Sequence, residues 1–131
     1  MALLSREAIL AASDLKTEEV AVPEWGGAVL VRGLTGAERD VYEQSVLTGK
    51  GKNRDVNLKN ARAKLIAMSV IDESGNRLFN TGADVEALGK KSAAAIQRVF
   101  EVAQRLSGLS DSDVEELAGN SSGQSEDSTS A

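Results

Sequence analysis

The scarcity of aromatic side chains is the feature that most constrains how this chain can fold. Its 131 residues include one Trp, one Tyr and two Phe, namely Trp25, Tyr42, Phe79 and Phe100. A core must therefore be built mostly from Leu, Val, Ile and Ala, which favours helices packed on helices over an aromatic-rich β-sandwich. The length fits a single domain with a modest core.

The chain contains no Cys and no His. Disulfides, thiol nucleophiles, imidazole metal ligands and the usual general base at neutral pH are thereby excluded. Adjacent acids such as Glu18 and Glu19 point to different sides of a strand or helix, so spacing alone gives no carboxylate dyad. We therefore predict a protein that is not an enzyme, with no catalytic, cofactor-binding or metal-binding residue.

The N-terminal sequence does not match a targeting or membrane segment. Arg6 and Glu7 follow directly on the first apolar residues, unlike a signal peptide. The longest apolar run, residues 8–12, is far shorter than the roughly 20 residues of a membrane span. We expect a soluble protein that stays in the compartment where it is made and does not bind a membrane.

The net charge of −5 is unevenly distributed. Residues 110–131, called the acidic segment below, hold six acids and no Lys or Arg, which leaves 14 acids and 15 bases in the remainder. Bases cluster in residues 50–64, around the single acid Asp55. Solvation of a loop is the favoured interpretation of this basic cluster, because it lacks the interleaved aromatics and glycine spacing of nucleic-acid or phosphate sites.

Hydrophobic periodicity predicts a helix followed by a hairpin in the first third of the chain. Ser5 is suited to cap a short helix that ends near residues 13–14. β-branched residues at every second position then predict strands at 20–22 and 29–31. Between them, Pro23 and the adjacent glycines Gly26 and Gly27 predict a hairpin loop.

Four further helices are predicted from caps and apolar stripes. Thr35 and Glu38 have capping-box spacing, and the helix should run to about Leu47 with Ala37, Val41 and Tyr42 on one face. A flexible basic loop is predicted at 49–55, followed by a helix from Val56 to Val70 with the apolar stripe Leu58, Ala61, Leu65 and Met68 and a possible strand at its end. A turn at 72–76 should then allow residues 78–79 to pair with 70–71. The last two helices are predicted from Thr81 to Leu88 and from Ser92 to Leu106, the latter with the apolar stripe Ile96, Val99, Phe100, Ala103 and Leu106.

The predicted fold class is α+β and mainly α, a small helical domain with an N-terminal β-hairpin and a disordered C-terminal tail. Residues 1–109 should form one globular domain. Within the acidic segment, residues 110–118 are expected to form a short helix, and the Ser-rich remainder has too few apolar side chains to offset the entropy of ordering.

Partner binding is predicted at Trp25, Arg32, Arg39 and Tyr42. Two interpretations of Trp25 are equally supported: packing across the hairpin onto a helix, or an exposed aromatic anchor at a loop tip. Tyr42 is favoured as a core residue because it follows Val41 on a helical face.

The chain resembles the tail assembly chaperones of long-tailed bacteriophages, particularly those that infect actinobacteria. The likeness extends from about Leu4 to Asn120 and is carried by an ordered set of features rather than one motif. These are the opening helix, the hairpin VPEWGG, the helix start RGLTGAER and the final helix RVFEVAQRLSGLS. The resemblance is to a short form of such chaperones.

The resemblance implies partners and a location. Family members bind the tape measure protein, a long, mostly helical and apolar rod, keep it soluble and help to recruit tail tube subunits, in many cases through a longer form made by a ribosomal frameshift. They act in the host cell cytoplasm and are absent from the mature virion; self-association is a further expectation.

Three alternatives remain open from the sequence. The chain could be a permanent tail or connector component of the virion. It could be a small nucleic-acid-binding regulator that uses residues 50–64. The acidic segment could also fold onto that basic cluster as an autoinhibitory contact.

Overall fold

In the computed structural model, residues 2–48, 55–56 and 60–109 are described, without the side chains of 47, 48, 55 and 56. The acidic segment and most of the basic cluster lie outside these ranges, and so do the helix and tail predicted there. The helices and strands, in chain order, are α1 (Arg6–Ala11), β1 (Thr17–Val22), β2 (Gly27–Arg32), α2 (Gly36–Ser45), β3 (Leu47–Thr48), β4 (Asp55–Val56), α3 (Ala61–Ser69), β5 (Val70–Ile71), α4 (Gly82–Gly89) and α5 (Ala93–Leu106).

The predicted N-terminal hairpin is confirmed. β1 pairs antiparallel with β2 from Thr17 opposite Arg32 to Val22 opposite Gly27. A 3-10 turn over Pro23–Trp25 joins the strands, and Gly26 closes the turn at a φ of 79°, a conformation that favours glycine. Alternate residues of β1, Val20 and Val22, are buried, as a sheet with one face on the core requires.

A third strand completes the sheet in the order β1-β2-β5. Val70 and Ile71 pair antiparallel with Val31 and Leu30, so the possibility that the third predicted helix continues into a strand is confirmed. After the turn at 72–76, Arg77 forms a β-bridge to Ile71 and the Leu78 amide donates to the Val70 carbonyl at 3.3 Å. The predicted second hairpin therefore exists in a minimal form.

Helix α3 is the centre of the core. It contacts α4, α5, α2 and β2, and most of its residues are buried, including Leu65 and Ile66 at 0% exposure. Two details of the prediction are wrong: Val56 belongs to β4, and the helix begins at Ala61 after Asn60, whose φ is +60°. Leu58 of the predicted stripe lies outside the described residues.

Helix α5 packs its apolar stripe on α3 and on the hairpin strands. Ile96, Val99, Phe100 and Ala103 are buried, and Leu106 packs against them half-buried. Gln104, a polar residue outside the predicted apolar stripe, is nevertheless only 5% exposed, and the Leu109 amide donates to its backbone carbonyl at 2.9 Å.

Helix α2 departs further from its predicted pattern. It ends at Ser45 rather than near Leu47, because Leu47 and Thr48 pair with Val56 and Asp55 as β3 and β4. Ala37 and Val41 are exposed, so only Tyr42 of the predicted face is buried. The helix lies at the edge of the domain and contributes a narrow stripe to the core.

The helix caps are as predicted. Ser5 and Ser92 accept from the amides of Ala8 and Ala95, and Thr35 with Glu38 forms a complete capping box. Thr81 and Asp84 form a second one at the start of α4. The α+β, mainly α fold class is confirmed.

Candidate interaction surfaces

The first candidate surface is the N-terminal apolar segment, defined here as residues 3–15. Helix α1 within it has no buried residue. Five large apolar side chains of the segment are exposed: Leu3, Leu4, Ile9, Leu10 and Leu15. Leu3 is the most exposed, at 98%, and Leu15 the least.

This exposure is unusual for so short a helix. Isolated helices of six residues are marginal in water, and helices in proteins are stabilised mainly by packing an apolar face. The Ser5 cap offsets only a small part of that deficit. Five exposed large apolar side chains within residues 3–15 make this segment a candidate site of interaction with another molecule.

The second candidate surface is an apolar groove between α2, α4 and the segment after β5. It consists of two cavities, of about 220 Å³ and about 190 Å³, which share Phe79. Val41, Met68 and Val85 line the first, and Trp25 and Leu88 line the second. Val41 is 61% exposed at its edge, so the groove is open to a partner.

The structure places Trp25 in the wall of this groove. Its ring is half-buried and packs against the core, and it borders the same cavity as Phe79 and Leu88. The neighbouring Glu24 anchors the hairpin tip to α5, since both carboxylate oxygens accept from Arg98. This ion pair lowers the pKa of Glu24, with the Arg98 hydrogen bond as the largest cause.

Arg32 lies at the opposite end of β2 and is part of an ion-pair cluster. Its Nη2 donates to both carboxylate oxygens of Glu38 at 2.9 Å, and Arg77 donates to the same carboxylate at 3.0 Å. The Thr35 amide is a further donor at 2.9 Å. Glu38 therefore ties together β2, α2 and the bridge after β5.

The environment of Glu38 has opposing effects on its acidity. Partial burial would raise the pKa of the carboxyl, but the Thr35 amide and the guanidinium groups of Arg77 and Arg32 lower it overall. The carboxylate therefore stabilises the fold above the unfolded-state pKa near 4.5, and this contribution is lost as pH falls through the lower folded-state pKa.

Glu38→Gln should lower the free energy of unfolding by about 1–2 kcal/mol at pH 7, because the charge on the acceptor is lost from a half-buried cluster. The deficit relative to wild type should shrink as pH falls from 5 to 3. Urea denaturation at several pH values measures both, with the exposed Glu73→Gln as control. A deficit that is independent of pH would contradict the assignment.

Arg39 and Tyr42 take different positions on α2. Arg39 Nε pairs with Glu43 at 3.1 Å and stays partly exposed. Tyr42 is 1% exposed and its hydroxyl donates to the Ala61 carbonyl at 3.3 Å, and burial raises its pKa to about 12. Its interpretation as a core residue is confirmed. Partner contact by Trp25, Arg32 and Arg39 remains a prediction, and Tyr42 presents almost no surface for one.

Within the described ranges there is no group of three or more acids that could hold a metal ion. No helix in that part of the chain is long and apolar enough to cross a membrane.

Two surfaces were missed by reasoning from sequence. The apolar residues of the N-terminal segment were visible, but their pattern does not show whether they meet the core or another molecule. The groove forms only when α2, α4 and Phe79 are brought together from distant parts of the sequence. The spacing of Thr35 and Glu38 predicted the cap but gave no sign of the two arginines.

Comparison with known proteins identifies the family to which the chain belongs. The family model described as phage tail assembly chaperone matches residues 4–120, and the chain belongs to this family. The family consists of non-enzymatic assembly helpers, so the chain is not an enzyme. No curated protein matches the chain significantly.

A solved structure described as the tail assembly chaperone of bacteriophage HK97 has a similar fold. Its TM-score is 0.53, with 22% sequence identity over 80% of this chain and 95% of that chain. The similarity at this identity supports the fold alone, and it agrees with the mainly helical arrangement around a small sheet.

Proposed function

We propose that this chain binds the tape measure protein of a phage tail during assembly, keeps it soluble, and helps to recruit tail tube subunits. It would act in the host cell cytoplasm and leave before the virion is complete. Family membership supports the general role. The observation that carries the specific proposal is the N-terminal apolar segment, which is exposed and has no buried residue in α1.

The chemistry of the segment suits such a partner. A long, helical, apolar rod aggregates unless its apolar stripe is covered, and a short helix with exposed Leu and Ile side chains can cover part of it. Each contact can be weak and reversible, because many copies along one rod act together. A longer, frameshifted form would add contacts to the tube protein.

Ile9→Ser combined with Leu10→Ser tests this role. Both side chains are already more than half exposed, so the free energy of unfolding should change by less than about 0.5 kcal/mol. Binding to the tape measure protein should weaken by about tenfold or more, since two large apolar contacts are lost. Affinity is measured on co-purified complexes, and the yield of soluble tape measure protein on co-expression should fall with it.

The matched control is Ala8→Ser with Ala11→Ser. It places the same two serines on the same exposed helix but keeps the large apolar side chains. The control should bind like wild type. Equal binding by all three proteins would show that the N-terminal apolar segment is not the contact surface.

A further inference from the structure

The apolar groove has a charge that selects among possible occupants. Lys64 and Arg77 line the cavity next to Val41, Lys91 lines the cavity next to Trp25, and no carboxylate lines either. Lys64 donates to the neutral Ser45 carbonyl at 2.8 Å, and no carboxylate among residues 2–48 and 60–109 forms an ion pair with it. Arg77 shares the single carboxylate of Glu38 with Arg32, which leaves excess positive charge at the rim. An apolar floor with a cationic rim fits an amphipathic helix with an acidic polar face.

The chain itself contains a sequence with this chemistry. Residues 111–118 hold four acids and no base, and Val114 and Leu117 are three residues apart, which places them on one face of a helix. The family match over residues 4–120 includes this stretch.

The described end of the chain lies within reach of the groove. Leu109 is buried, and the Leu34 amide donates to Ser107 Oγ at 3.0 Å, which holds the end of α5 against the start of α2. From Thr35 to Val41 along α2 is about 9 Å at the helical rise of 1.5 Å per residue. Ser110 alone separates Leu109 from residue 111. An extended link through it spans about 7 Å, and the helical rise from 111 to Val114 adds about 4.5 Å, which together cover that distance.

We propose that residues 111–118 bind in the apolar groove of the same chain as an amphipathic helix. Val114 and Leu117 contact the floor around Val41 and Phe79, and the four acids face Lys64, Arg77 and Lys91. In this arrangement the acidic segment binds in the groove, and it does not fold along the whole basic cluster. The N-terminal apolar segment stays free for a partner.

Paramagnetic relaxation tests the proposal directly, because the chain has no Cys and a single introduced one takes the spin label. With a nitroxide on Gly119→Cys, the amide signals of Phe79 and Val85 should lose most of their intensity. A label on Ser130→Cys should affect them much less. Unbroadened signals from Phe79 and Val85, or broadening confined to residues 61–64, would overturn the proposal.

Matched variants of the labelled chain separate the forces involved. Val114→Ser with Leu117→Ser, and Glu115→Lys with Glu116→Lys, should each restore the Phe79 and Val85 signals. Glu126→Lys with Asp127→Lys makes the same charge change outside the proposed helix and should leave them broadened. Restoration by this control pair equal to that of Glu115→Lys with Glu116→Lys would contradict a specific contact.

Mixing labelled chains with unlabelled, isotope-enriched ones asks whether the contact is within one chain. The signals of the enriched chains should be unaffected; broadening there would show that the segment binds a second copy and would overturn the proposal. No partner protein is present in these measurements, so their failure leaves the proposed binding of the tape measure protein standing.

Discussion

Replacing Leu65 by alanine is expected to lower the free energy of unfolding by about 3–5 kcal/mol. Leu65 is fully buried in α3, the helix that contacts α4, α5 and β2 at once. Surrounding elements cannot all move into the vacated space, so both the transfer energy of the side chain and the cavity left behind count against the fold.

Urea or thermal denaturation measures the loss in Leu65→Ala. The control is Leu78→Ala, which makes the same chemical change at a position 50% exposed and should lose less than about 1 kcal/mol. Equal losses at the two positions would mean that α3 is not the centre of the core.

Gly33→Ala is expected to lower the free energy of unfolding by about 2–3 kcal/mol, the upper part of the range for overpacking. A Cβ at this buried position would press against the Leu106 carbonyl oxygen and lie 2.9 Å from its carbon. The Gly33 amide is held by the Lys16 carbonyl at 3.0 Å, so neither the end of the hairpin nor the end of α5 can yield easily.

Gly36→Ala is the matched control for Gly33→Ala, three residues along. A Cβ there meets no atom within 4 Å, and the position is the first of α2, where alanine is favoured over glycine. Its stability should stay the same or rise by up to about 1 kcal/mol. A loss in Gly36→Ala as large as in Gly33→Ala would rule out close packing of α5 as the cause.

Features governed by local chemistry were predictable from the sequence. Ser5, Thr35, Thr81 and Ser92 all cap helices, because a hydroxyl there accepts from an amide three residues on. The hairpin was equally predictable, from the β-branched residues at every second position of its strands and from the adjacent glycines between them. These patterns depend on neighbours within a few residues.

Features set by distant contacts were not predictable. Val41 has a core-like position on α2 and is exposed, whereas Gln104 has a polar side chain and is buried. The pairing of β3 with β4 ends α2 earlier than its periodicity suggests. In each case tertiary packing, which a single sequence does not reveal, decides between locally equivalent options.

The candidate surfaces, too, combine residues that the sequence makes visible with exposures and contacts that only the fold determines. Ile9 and Leu10 are conspicuous in the sequence, but only the fold shows that they face solvent. Trp25 was open between packing and anchoring, and it is half-buried in the wall of the groove, so both remain compatible with its position.

In the proposed role, the chain binds the tape measure protein during tail assembly and then leaves. This role can be tested by quantitative mass spectrometry of tape measure complexes from cells in the middle of assembly, and of purified particles from the same culture. We predict that the chain is abundant in the complexes and absent from the particles. Stoichiometric presence in purified particles, or absence from the tape measure complexes, would contradict the claim.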